Sequence, residues 1–331
     1  MESRSLGSTG LVVSRLGLGM AALGRPGYIN LHHGQDLGHE SGEAAMEHRA
    51  HDVLDTAWKI GIRYFDVARS YGRGEQFLGS WIRSRSISRS AVTVGSKWGY
   101  TYMADWKIQA QSHEIKSHTL ATLQKQWCES FSWLDGHIDL YQIHSVTMES
   151  GVLDDRSVLD ELVRLKSKGT HIGLSLSGPD QTATLRKAMA LNLDGLRLFE
   201  TVQATWNLLE PSAGPGLLEA QAAGLGVIVK EALANGRLSS RNPNPAFASK
   251  LAILRREAAR FDSSVEEVAL AACLFQPFVD VVLSGAVTEE HLLSNGRSCF
   301  LNFDRDAMLR LAALAEPAHS YWATRKNLPW N

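Results

Sequence analysis

Four residues of proton-handling types stand at matching places in this 331-residue chain. Asp66 closes the run RYFD, Lys97 closes AVTVGSK, and His144 closes IDLYQIH; Tyr71 follows shortly after Asp66. Gathered at one point, these groups could deliver a proton to the alkoxide formed when a carbonyl accepts a hydride. A free tyrosine, with a pKa of ~10, is a poor general acid near neutrality. An ammonium ~4 Å away would favour the phenolate by ~4 kcal/mol at an effective dielectric of ~20. At ~1.4 kcal/mol per unit, that is up to ~3 pKa units. Lys97 is therefore expected to draw Tyr71 toward neutrality, with Asp66 holding Lys97 charged and oriented. His144 would orient the carbonyl or share in the proton transfer. Neither a metal nor a covalent intermediate is required. Each residue also has a plainer reading: a turn aspartate, a rim tyrosine, a surface lysine, a hydrogen-bonded core histidine. The case lies in their joint placement.

That placement depends on the elements. Eight short apolar runs end at Gly19, Asp66, Lys97, His144, Ser175, Gln203, Lys230 and Gly285. They are rich in β-branched residues and nearly continuous, as suits parallel strands buried on both faces. Amphipathic stretches lie between them. Leu120, Leu123, Trp127, Phe131 and Leu134 recur at helical spacing before the stop Asp135-Gly136. Val53, Leu54, Ala57 and Trp58 before Gly61, and Leu159, Leu162 and Val163 before Gly169, do the same. The alternation predicts an α/β fold, a (β/α)8 TIM barrel as one domain over residues 1–331. An open doubly wound sheet would carry a G-x-G-x-x-G turn after its first strand, and LGLGMAALG lacks that spacing. In a closed barrel the strand C-termini form one rim, where sites are built.

RSLGSTGLVV reads as a β-hairpin preceding the first strand, turning at Ser8-Thr9-Gly10. Two rim segments are long: Leu23 to Glu47, rich in Gly and His, and the aromatic Trp98 to Trp106. Both are expected to cover the mouth of the site. Trp98 and Trp206, each just past a strand end, are candidate substrate contacts. His32, His33 and His39 lack a carboxylate or thiolate at metal-ligand spacing, so no metal site is expected. Lys230 could form a Schiff base in an aldolase-like barrel, although a cofactor role covers its neighbours as well. A net charge of −1 gives no electrostatic case for nucleic acid or an anionic membrane. Three scattered cysteines and no long apolar run point to a reducing compartment, the cytoplasm.

At this point the chain resembles a known family. FDVARSYG at 65–72 is similar to the signature of the aldo-keto reductases, in which Asp and Tyr stand five apart. GSK at 95–97 and DLYQIH at 139–144 resemble its next two blocks, in order. RSLGSTGLVVSRLGLG, IGLS, VQATWNLLE, VKEALANGRL and VLSGAVTEEHLLSN resemble its opening hairpin and cofactor blocks, so the likeness covers nearly the whole chain. The resemblance implies direct hydride transfer from NADP(H) or, less often, NAD(H), with Asp66, Tyr71, Lys97 and His144 as a catalytic tetrad. It implies that Ser175 and Gln203 hold the nicotinamide carboxamide and that Gly19 and Met20 lie at the cofactor. It implies that the loop containing Leu233, Gly236 and Leu238 approaches the pyrophosphate, and that Asn295 contacts adenine. Substrate would be a small carbonyl compound or alcohol; the sequence leaves the oligomeric state open. A regulatory subunit on the same fold, like the potassium-channel β subunits, is the alternative and would show little turnover.

The sequence also departs from the pattern. Lys230 replaces an aromatic that stacks on nicotinamide in many relatives, and Trp206 replaces a common Tyr. Gly285 and His291 stand where relatives place Lys and Arg against a 2′-phosphate. A weak NADP preference or dual use is the expectation, strengthening as pH falls and His291 takes up a proton.

Overall fold

A computed structural model of the chain describes residues 1–331 except His32 and His39. Eight parallel strands close into a barrel. They are β1 (Leu16–Gly19), β2 (Tyr64–Asp66), β3 (Thr93–Trp98) and β4 (Leu140–Val146). Then follow β5 (His171–Leu176), β6 (Thr201–Thr205), β7 (Gly226–Lys230) and β8 (Val281–Ser284). Each pairs with its sequence neighbour, and β8 pairs with β1 through Val282 and Leu16. Every residue of β2, β3, β6 and β8 is buried, because helices cover the outer face while side chains fill the inner one.

The predicted hairpin pairs Ser3–Ser5 with Val12–Ser14 and plugs the N-terminal end of the barrel. Leu6 and Val13 pack there on Tyr64, Leu140, Ile228 and Val281. Gly7 lies at φ +52, and a Cβ on it would come within 2.3 Å of the Gly226 nitrogen, so only glycine permits this approach. With that end sealed, the C-terminal rim is left open.

Three helices read from periodicity are present. They are α1 (Glu43–Lys59), α3 (Leu120–Trp133) and α4 (Arg156–Ser167), with α2 (Gly74–Ser84) between the first two. The buried face of α3 differs in part from the apolar stripe. It carries Leu123, Gln126 and Ser130, whereas Phe131 is 49% exposed. The reason is polar: Gln126 accepts from the Gly99 amide at 2.9 Å and donates to the Tyr100 carbonyl at 2.9 Å. This tie draws the Gln126 side of the helix inward and leaves Phe131 out, while Leu120, Leu123, Trp127 and Leu134 still pack on the core as the stripe predicted.

The described residues of both long rim segments lie over the barrel mouth. The first contains a short helix, His33–Asp36, and gives way to α1 at Glu43, four residues before the predicted boundary. The second is an antiparallel hairpin, Tyr100–Tyr102 with Glu114–Lys116, longer than the aromatic stretch suggested. Trp106 ties the two together by donating to the Ser41 carbonyl at 2.8 Å. Past the last helix (Ala318–Lys326), the chain crosses this lid. Asn331 and Tyr28 exchange backbone hydrogen bonds at 3.1 Å, and Trp330 stacks on His113 at 3.9 Å. Among the described residues no helix is long and apolar enough to cross a membrane.

Candidate active site

Asp66, Lys97 and His144 reach the rim from three adjacent strands, and Tyr71 returns to them from the turn after β2. That turn is closed by the Tyr71 amide donating to the Ala68 carbonyl at 3.0 Å. Lys97 is fully buried and Asp66 nearly so. The ammonium donates to Asp66 Oδ1, to the Val67 carbonyl at 3.0 Å and to the Tyr71 hydroxyl at 3.5 Å. All three of its protons are thereby directed. Asp66 Oδ2 also accepts from Gln203 Nε2 at 2.7 Å and from Tyr64 at 3.3 Å. The Tyr71 hydroxyl lies 3.5 Å from His144 Nε2, and the two rings meet edge to face.

His144 is aimed by a β-bulge. The β4–β5 register breaks between Ile143 and Val146, and Ser145 takes a left-handed φ of 53°. Ser175 anchors the bulge: its hydroxyl accepts from the Ser145 amide at 2.8 Å. His118 Nε2 and the His144 carbonyl are 2.8 Å apart.

The electrostatics correct one expectation. Tyr71 is not drawn toward neutrality; burial pushes its pKa well above the ordinary phenol value, and Asp66 adds to the rise. The ammonium that was to lower it is neutralised by direct contact with Asp66. Arg25 opposes the rise. Burial also holds His144 well below the usual histidine range, helped by Lys97 and Lys230. At neutral pH both rings are uncharged: a phenol with its proton, and an imidazole.

These groups open into a cavity of about 1160 Å³. Asp66, Tyr71 and His144 lie on its wall. Of the predicted cofactor positions, Gly19, Asp66, Gln203, Lys230, Leu233, Gly236, Gly285, His291 and Asn295 line it. Met20, Ser175 and Leu238 do not. Met20 is a core residue whose amide donates to the Asp66 carbonyl, Ser175 is committed to Ser145, and Leu238 packs in a second apolar cluster with Phe247 and Leu251.

Neither tryptophan proposed as a substrate contact reaches the cavity. Alternation along the strand explains both. Lys97 points to the mouth, so Trp98 points outward, edge-on to His118. Gln203 points to the mouth, so Trp206 faces the helix layer against Phe278. Besides Tyr71, the aromatic wall comes instead from Tyr28, Tyr100, Trp322 and Trp330.

Arg25 was also missed. It is 3% exposed, pairs with Glu114 at 2.8 Å and donates to the Ser70 carbonyl at 3.2 Å. Its guanidinium lies 5.4 Å from the Tyr71 ring centre. An arginine in a Gly-rich loop carries no periodic signal, and its partner is 89 residues away. Glu231, at φ 57°, accepts from Arg325 Nε at 2.9 and 3.0 Å.

The cavity suits an extended dinucleotide with a flat head near the tetrad. Gly285 has no atom within 4 Å of where a Cβ would stand, and a Cβ on Gly19 would meet only ordinary van der Waals contacts, the nearest the Ser284 carbonyl oxygen at 3.5 Å, so a ring can lie against the backbone. At the far end the helix Glu289–Arg297 begins with a Thr288 cap and presents His291 and Asn295 to the cavity. Its arginine, Arg297, is paired with Glu267 at 2.6 Å. Among the described residues no group of three His, Cys, Asp or Glu side chains could hold a metal; His32 and His39, two of the loop histidines considered for one, lie outside the described residues.

A closed barrel thus gathers an acid, an amine, a phenol and an imidazole at its C-terminal rim. Residues 15–316 match the model of the aldo/keto reductase family, and the chain belongs to that family. It is 26% identical to an uncharacterised oxidoreductase of Bacillus subtilis, YrpG, covering 94% of this chain and 95% of that one. It is 24% identical to an L-galactose dehydrogenase of Arabidopsis thaliana, covering 100% and 97%. The holo form of the aldo-keto reductase AKR11C1 from Bacillus halodurans superposes with a TM-score of 0.72 at 23% identity, over 96% of this chain and 97% of that one.

Proposed function

We propose that this protein is an NAD(P)H-dependent carbonyl reductase, running in reverse as an alcohol dehydrogenase. Its substrate would be a small aldehyde, ketone or sugar, with Tyr71 as general acid and base. One observation carries the reading: the Tyr71 hydroxyl is where Lys97, His144 and the open cavity meet. A reduced nicotinamide, when bound, supplies the hydride; the protein supplies the proton. Tyr71 accepts a hydrogen bond from Lys97, which leaves its own O–H free to donate to a carbonyl oxygen. Its raised pKa keeps that proton in place at neutral pH. The nascent alkoxide is a far stronger base than a phenolate, so transfer still runs downhill. Lys97 then stabilises the phenolate, and the neutral His144 orients the carbonyl. Gly19, Gln203, Lys230, Leu233, Gly236, Gly285, His291 and Asn295 would hold the cofactor, while Met20, Ser175 and Leu238 support that wall from behind.

Arg25 and Glu114 cancel each other beside three aromatic rings, which favours neutral substrates over anions. The name of the Arabidopsis relative, an L-galactose dehydrogenase, is the reason sugars are included in the reading. With Arg297 held by Glu267, a weak NADP preference or dual use follows. The test is a panel of carbonyls and alcohols, L-galactose included, read at the nicotinamide absorbance with each cofactor. Turnover of several carbonyls is expected. Tight nucleotide binding without turnover on any substrate overturns the reading in favour of a regulatory subunit.

A further inference from the structure

Lys230 ends β7 and lines the cavity opposite the tetrad strands. Its surroundings are unusual for a lysine at such a site. Among the described residues its ammonium has no hydrogen bond and no ion-pair partner within 4 Å, whereas the charges around it are matched. From β2 and β3, Asp66 and Lys97 are in direct contact. From the segment after β7 and the last helix, Glu231 is held by Arg325. From β4, His144 is neutral at ordinary pH. From the rim loops, Arg25 is paired with Glu114. Gln203 of β6 and Ser284 of β8 carry no charge. The local sum is one positive charge, and Lys230 carries it.

Resting on the reading above, we propose that Lys230 makes the cavity discriminate the redox state of its nucleotide, favouring the reduced, uncharged ring over the oxidised, cationic one. A ring that delivers hydride to a carbonyl held by Tyr71 must lie among the groups that line this end of the cavity. There an unpaired ammonium in a poorly solvated site opposes a second positive charge. NADP+ and NADPH share every other group, so their affinity ratio isolates that repulsion. The bias would release oxidised product and keep the protein charged with reductant.

The inference has a built-in titration. Burial lowers the Lys230 pKa to about 8; Glu231 opposes the drop, and Arg325 and Lys97 add to it. Below that pH the ammonium is charged and the bias toward the reduced form is full. Above it the amine is neutral and the bias disappears. The experiment measures dissociation constants of NADPH and NADP+, and of the NADH and NAD+ pair, by quenching of tryptophan fluorescence from about pH 7 to about 9.5. For the parent protein, a preference for the reduced form on the order of tenfold near neutrality should fall through about pH 8. Lys230→Met should abolish it at every pH, and Lys230→Arg, which cannot titrate in this range, should keep it to the alkaline limit. A parent ratio that is flat with pH and matched by both variants overturns the inference while leaving the reductase reading intact. A Lys230→Arg ratio that decays like the parent's also overturns it, even if Lys230→Met does not fold. Failure of all four nucleotides to bind overturns both.

Discussion

Replacing Lys97 by methionine would remove the centre of the buried network and leave the Asp66 carboxylate without its countercharge. Lys97 is fully buried, and its loss also strips the Val67 carbonyl of a donor at 3.0 Å. Breaking a buried pair from one side costs about 3–5 kcal/mol, because an uncompensated charge stays in a poorly solvated site. Gln203 and Tyr64 still donate to Asp66, so the lower end, about 3 kcal/mol, is expected. The double variant Lys97→Met/Asp66→Asn has no stranded charge, and should recover more than half of that loss although both variants lack Lys97. Urea unfolding near neutral pH, followed by far-UV circular dichroism and extrapolated to water, gives all the corners of the cycle. A single variant within about 1 kcal/mol of the parent, or a double variant no more stable than the single one, would refute the claim that the stranded Asp66 carboxylate causes the loss.

Tyr71→Phe should lower turnover by roughly 10²–10⁴-fold with nucleotide affinity unchanged, by steady-state rates and fluorescence titration; a rate near the parent's removes Tyr71 as proton donor. Burial holds His33 and His118 at about 4 against an ordinary 6.5, so the unfolded chain binds more protons between those values. Stability is therefore complete above pH 6.5 and falls as pH drops toward 4; thermal melts should show this, and His118→Gln should flatten the slope. Trp330→Ala should change relative rates across the carbonyl panel by about tenfold, while NADPH affinity moves less than about twofold. A reversed pattern would mean that Trp330 does not wall the substrate end.

How much was legible from the residues differs element by element. All eight strands end at or within two residues of where their apolar runs end, because a strand buried on both faces writes itself as a local run. The convergence of Asp66, Tyr71, Lys97 and His144 followed from those endings, since parallel strands in a closed barrel share one rim. The orientation of α3 was legible only in part: Leu120, Leu123, Trp127 and Leu134 of its stripe pack on the core, but the tie from Gln126 to Gly99 and Tyr100 brought a polar residue inward and left Phe131 out. Alternation could have excluded Trp98 and Trp206 from the cavity once Lys97 and Gln203 were assigned to it.

The order of the strands, their endpoints, the glycine-bare rim and the types of the four proton-handling residues are properties of short stretches, set by local periodicity and chemistry. The charge states at the site belong to the assembled molecule. Lys97 is neutralised by Asp66 across 31 residues, Arg25 meets Glu114 across 89, and Arg325 meets Glu231 across 94. Only the folded structure decides that Tyr71 keeps its proton, that Trp330 walls the pocket, and that Lys230 has no ion-pair partner among the described residues. Desolvation and ion pairing depend on what lies within a few ångströms in space, and spacing along the chain does not carry that distance.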